Sequence, residues 1–134
     1  MTQVNFGKSV IMLVEDEAQQ RESLTMMLEV EEYLVLPSSS AEEAMTMLQS
    51  TSPNLIVSDV KLTGMDGFTF FDRVREKFGE KNIPFIFITG YNDQQAIEEV
   101  KRHGALAYVT KPYELETLMA LVKAHVPAMK KVLT

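Results

Sequence analysis

The 134-residue chain has no cysteine, no tryptophan and only two histidines, His103 and His125. Without cysteine there can be no disulfide, thiolate metal site, iron–sulfur cluster or cysteine nucleophile. Two histidines so far apart in the chain do not suggest a zinc site built on imidazole. Positive charge is also scarce, with 13 Lys and Arg against 19 Asp and Glu for a formal net charge of −6. Non-specific binding to nucleic acid or to an anionic membrane needs a basic surface, so direct binding to either is not expected. No apolar run approaches the roughly 18 residues of a membrane span. Residues 1–9 are polar and lack the apolar centre of a secretory signal, so a cytoplasmic protein is expected.

With 46% hydrophobic and 24% charged residues, the chain has the balance of one soluble globular domain. The nine methionines read mainly as core gap-fillers. Five short apolar runs recur: Val10–Val14, Tyr33–Leu36, Leu55–Val57, Phe85–Ile88 and Leu106–Val109. Each is followed by residues at helical spacing, for example Ala41, Ala44, Met45 and Leu48. Such runs predict strands buried on both faces, and their partners predict amphipathic helices. Strict β-α alternation implies an α/β fold, a parallel sheet with helices on both faces. Ser40 with Glu43, Asn92 with Gln95 and Asp16 with Gln19 mark helix starts, while Gly79 and Gly104 mark stops. Residues 1–8 read as an N-terminal extension and 9–126 as the domain. Pro127 should end or kink the fifth helix, leaving 127–134 as a basic-apolar tail or the start of a linker.

In an open α/β sheet the site lies at the carboxyl ends of the strands. Those positions hold Glu15 and Asp16, then Asp59, then Thr89 and Gly90, then Lys111 and Pro112. Each has an ordinary role if taken alone. Asp16 would be a helix N-cap, Asp59 a turn residue, Thr89 a partner for a loop carbonyl and Lys111 a solvated strand end. Together they suggest more. Three carboxylates in one crevice repel each other unless a hard cation joins them, and oxygen-only ligands suit Mg²⁺. Lys111 can pair with Asp59 and then with a phosphate oxygen, while Thr89 offers a hydroxyl donor. The set describes a carboxylate that accepts a phosphoryl group.

The segments V-E-D-E at 14–17, S-D-V-K-L-T-G-M-D-G at 58–67, I-T-G-Y at 88–91 and Y-V-T-K-P at 108–112 resemble a bacterial response-regulator receiver domain of the chemotaxis type. The resemblance covers about residues 9–126. It implies a flavodoxin-like sheet with strand order 2-1-3-4-5. It further implies Asp59 as phosphoacceptor, with Asp16 as a direct Mg²⁺ ligand and Glu15 as a ligand through water. The backbone carbonyl of Lys61 would complete the protein ligands. Thr89 and Lys111 would contact the phosphoryl oxygens, Thr89 and Tyr108 would form the switch, and Lys111–Pro112 would be cis. Lys61 and Tyr91 would flank the approach of water and so modulate the phosphate lifetime. Thr63 stands where the family often has Pro, a departure expected to loosen the loop without touching a ligand. Glu15 is longer than the usual Asp.

The function implied is a phosphoacceptor switch in two-component signalling, not an enzyme beyond its own phosphorylation and dephosphorylation. Its partners would be a sensor histidine kinase or phosphotransfer protein and a downstream target or fused output domain. A homodimer through the fourth helix, fifth strand and fifth helix is a further expectation. One alternative is a receiver-like binding module that is not regulated by phosphorylation. An aspartyl phosphatase would show a second acid at position 61, where this chain has Lys. A flavin-binding relative would show a Ser/Thr/Gly-rich phosphate loop where this chain has Glu15-Asp16-Glu17.

Overall fold

The computed structural model describes residues 4–90 and 92–133. In chain order the elements are β1 (Val4–Lys8), β2 (Val10–Val14), α1 (Ala18–Val30), β3 (Leu34–Ser38), α2 (Ala41–Met47) and β4 (Leu55–Asp59). There follow α3 (Gly67–Phe78), β5 (Phe85–Gly90), α4 (Gln94–His103), β6 (Ala107–Lys111), α5 (Leu115–His125) and β7 (Met129–Leu133). Five strands form one parallel sheet in the order β3-β2-β4-β5-β6. Counting these five alone, the order is the expected 2-1-3-4-5.

Alternation along each central strand sorts the core into two halves. Ile11, Leu13, Leu55, Val57, Ile86 and Ile88 face α1 and α5, packing on Leu24, Leu28, Leu118 and Val122. Met12, Val14, Ile56, Phe85 and Phe87 face the other way, onto Ala44, Phe70, Phe71, Val74 and Val100 of α2, α3 and α4. Strands covered on both faces read as continuous apolar runs, which is why β2, β4 and β5 are legible in the sequence. The expectation of burial on both faces fails for β3 and β6. They are the edges, each with one neighbouring strand, and most of their residues are partly exposed. The methionines divide as well: Met12 and Met119 are core, Met45, Met47 and Met65 pack against it, and Met26 is exposed.

Helix ends follow local chemistry with two corrections. Ser40 Oγ accepts from the Glu43 N–H at 3.1 Å, as its capping pattern predicts. The cap of α4 is Asp93, accepting from the Ala96 N–H at 3.0 Å, one residue beyond the expected Asn92. The N-cap of α1 is Glu17, with no side-chain cap bond, so Asp16 does not cap that helix. Gly104 adopts the left-handed conformation, φ 71°, that closes α4.

The flanking segments do not stand apart from each other. β1 and β7 pair antiparallel, with Val4 opposite Leu133 and Lys8 opposite Met129. The Ser9 N–H donates to the Ala128 carbonyl at 2.8 Å, joining this ribbon to the start of β2, at the end of that strand away from Glu15. α5 stops at His125, before Pro127. Among the described residues no helix is long and apolar enough to cross a membrane.

Phe85 is fully buried, with its ring 4.8 Å from Phe71 and 5.6 Å from Phe70 in edge-on contacts. Phe85→Ala is expected to cost about 3–5 kcal/mol, a large share of the ~5–15 kcal/mol typical of a domain. Urea unfolding measures it, and a loss below about 1 kcal/mol would contradict the packing described.

Candidate functional site

Because the five strands run the same way, their carboxyl ends share one edge. Glu15 and Asp16 follow β2 directly, Asp59 ends β4, Thr89 is the penultimate residue of β5, and Lys111 ends β6. β4 is held deep in the sheet, which buries Asp59 to 5% exposure. The start of α3 presses on it from behind. A Cβ on Gly67 would sit 2.5 Å from the Asp59 carbonyl oxygen and 2.9 Å from the Val60 Cα, so only glycine fits there without backbone movement.

The expected side chains converge. Lys111 Nζ donates to Asp59 Oδ2 at 2.6 Å and lies 3.8 Å from Glu15 Oε2. Glu15, Asp16 and Asp59 each offer a carboxylate oxygen, all within 4.8 Å of one another. Glu15 is buried and Asp16 exposed. Glu15 Oε1 accepts from the Glu17 N–H at 3.1 Å, whereas Oε2 is buried without a hydrogen-bond partner among the described residues. Thr89 Oγ1, on a residue 2% exposed, is likewise unpartnered. Buried polar atoms rarely stay unsatisfied, so two of them on one edge indicate groups arranged for something that arrives there.

Electrostatics agree. Burial pushes the Glu15 carboxyl up to about 7, and the neighbouring Asp59 adds to the shift, although the Glu17 N–H and Lys111 oppose it. Burial pulls Lys111 down, but its hydrogen bond and ion pair with Asp59, aided by Glu15 and Glu17, leave it above the ordinary lysine value. Tyr113 is pushed up to about 12, by burial first and then by Glu15 and Asp59. One ammonium among three carboxylates leaves an excess of negative charge at a crevice made of oxygen donors. That donor set, with its orphaned Glu15 oxygen, fits a hard divalent cation.

Other expected residues fall less centrally. Tyr108 is half-buried on β6 and packs against the core half that includes Phe87. Lys111–Pro112 is cis, as expected. Lys61, on the loop after β4, is exposed, with Nζ 3.8 Å from Asp93 Oδ2. Tyr91 lies outside the described residues.

Position 63 requires a correction. Thr63 touches a candidate ligand directly: its N–H and its Oγ1 both lie 3.0 Å from Asp16 Oδ2. The reason is tertiary, since the loop after β4 folds over the loop after β2. Arg21 was also missed, and its Nη1 donates to the Glu15 carbonyl at 2.9 Å. Neither contact has a local signal, because a threonine in a loop and an arginine on a polar helix face are ordinary. Tyr113, two residues beyond Lys111, could have been picked out by proximity alone.

The response regulator receiver domain family matches residues 11–123. Sporulation initiation phosphotransferase F of Bacillus subtilis is 29% identical over 117 residues, covering 87% of this chain and 93% of that protein. Response regulator protein FleR of Pseudomonas aeruginosa is 33% identical over 117 residues, 86% of this chain but 24% of FleR. The chain thus corresponds to about a quarter of that relative. Among solved structures, the chemotaxis response regulator CheY4 of Vibrio cholerae has a TM-score of 0.81 at 26% identity, covering 90% of this chain and 100% of that one. Fold, sequence motifs and similarity agree, and the chain belongs to the response regulator receiver domain family of two-component signalling.

Proposed function

We propose that Asp59 takes a phosphoryl group from the phosphohistidine of a sensor kinase or phosphotransfer protein. The observation that carries this reading is the Lys111 ammonium 2.6 Å from Asp59 Oδ2, on the same edge as the unpartnered Glu15 and Thr89 oxygens. A carboxylate oxygen of Asp59 attacks phosphorus, the P–N bond to the donor imidazole breaks, and an acyl phosphate forms. Mg²⁺, when bound, neutralises charge on the phosphoryl oxygens. Asp16 and Asp59 would hold it directly, Glu15 through water, and the Lys61 carbonyl would complete the protein ligands. Lys111 leaves its pairing with Asp59 to contact a phosphoryl oxygen. Thr89, whose hydroxyl has no partner among the described residues, donates to another. The chain is the acceptor in this transfer and does not turn over a separate substrate. Acetyl phosphate with Mg²⁺ tests it: intact mass should rise by one phosphoryl group, and an unchanged mass would sink the reading.

The signal leaves through α4, β6 and α5. As Thr89 turns to the phosphoryl group it vacates space beside β6, and half-buried Tyr108 turns inward. This changes the surface offered to a downstream protein, to a fused output domain or to a second copy of the chain. Amide exchange with and without beryllofluoride should therefore differ across residues 94–125. Changes confined to the loop after Asp59 would contradict this route.

A further inference from the structure

We propose that Thr63 is a positioning residue for Asp16, holding its carboxylate in the orientation that joins a divalent-cation site; this rests on the cation site proposed above. Thr63 places two donors, its N–H and its Oγ1, 3.0 Å from one and the same oxygen, Asp16 Oδ2. No other hydrogen bond to the Asp16 carboxylate is formed among the described residues, and Asp16 is exposed. An exposed aspartate would otherwise turn freely about two side-chain torsions. Two donors on Oδ2 restrain both torsions and leave Oδ1 free to accept a cation.

Thr63 is itself held in place. The Val60 N–H donates to the Ile88 carbonyl at 2.9 Å, fixing the start of the loop to β5. Beyond Thr63, the Met65 N–H donates to Glu42 Oε2 at 3.1 Å, and Asp66 caps α3 by accepting from the Thr69 N–H at 2.8 Å. The loop is thus anchored on both sides of the residue that reaches Asp16. Here one carboxylate oxygen accepts from both an N–H and a hydroxyl, which threonine and serine supply at once. Valine would keep only the N–H, and proline would keep neither.

Groups that orient a metal ligand without touching the metal commonly contribute about 10–100-fold in affinity. The test is calorimetric titration with MgCl₂ alone on unphosphorylated wild type, Thr63→Ser, Thr63→Val, Thr63→Pro and Asp16→Ala. Thr63→Ser should bind within about twofold of wild type, Thr63→Val about three- to tenfold more weakly, and Thr63→Pro about tenfold more weakly or worse. In the metal-free protein, the Thr63 amide should exchange several-fold more slowly in wild type than in Asp16→Ala. Nitrogen–proton correlation spectra establish that each variant is folded, and recovery in Thr63→Ser separates orientation from general loop damage. Wild-type affinity in both Thr63→Val and Thr63→Pro would overturn the proposal. Tighter binding would overturn it too, showing that Thr63 competes with the cation for Asp16. If Asp16→Ala binds Mg²⁺ as wild type does, the cation site itself is misassigned, whatever the Thr63 variants do.

Discussion

Asp59→Asn should lower phosphoryl incorporation from acetyl phosphate at least a hundredfold, to below detection by intact mass. The substitution is nearly isosteric at a position 5% exposed, so the fold should survive it. What changes is the nucleophile. A carboxylate oxygen carries the charge that attacks phosphorus, and the amide carries none. The amide also removes the anion to which the Lys111 ammonium is bound at 2.6 Å. A hundredfold loss corresponds to about 2.7 kcal/mol of barrier, which is modest for removal of a reacting atom. Fragmentation of the phosphorylated wild type should place the group on Asp59. An undiminished mass increase in Asp59→Asn would mean that another acid on this edge is the acceptor.

Asp16→Ala should weaken Mg²⁺ binding by the unphosphorylated protein tenfold or more, and Glu15→Ala should weaken it less. Asp16 is exposed at the mouth of the crevice, where a direct ligand can shed water readily, whereas Glu15 is buried beneath it. One Glu15 oxygen is already engaged by the Glu17 N–H at 3.1 Å. The other is set back beside Lys111, at 3.8 Å, so its charge is partly answered without a metal. A ligand acting through water contributes less than one bonded directly, and tenfold is about 1.4 kcal/mol. Titration with MgCl₂ decides the order. A larger loss in Glu15→Ala than in Asp16→Ala would show that the two acids have exchanged roles.

Much of this protein was decided by its amino-acid order. β2, β4 and β5 are covered on both faces, so their apolar runs need no partner to be recognised. Their alternation with helical spacing leaves a parallel sheet as the economical arrangement. In such a sheet every strand end reaches the same edge, so Glu15, Asp16, Asp59, Thr89 and Lys111 could be brought together on paper. The tertiary structure decided what depends on residues distant in the chain. It paired β1 with β7 across the whole length of the chain, leaving no local signature of either as a ladder. It placed the α4 cap on Asp93 and not Asn92, with the Asp93 carboxylate accepting from the Ala96 N–H. It also laid the loop after β4 over the loop after β2, which turned Thr63 from a loop residue into the partner of Asp16. Periodicity records which face of an element is dry, because burial acts on each residue separately. A hydrogen bond between two loops records nothing in either sequence, because its energy exists only once the sheet has brought both loops to one edge.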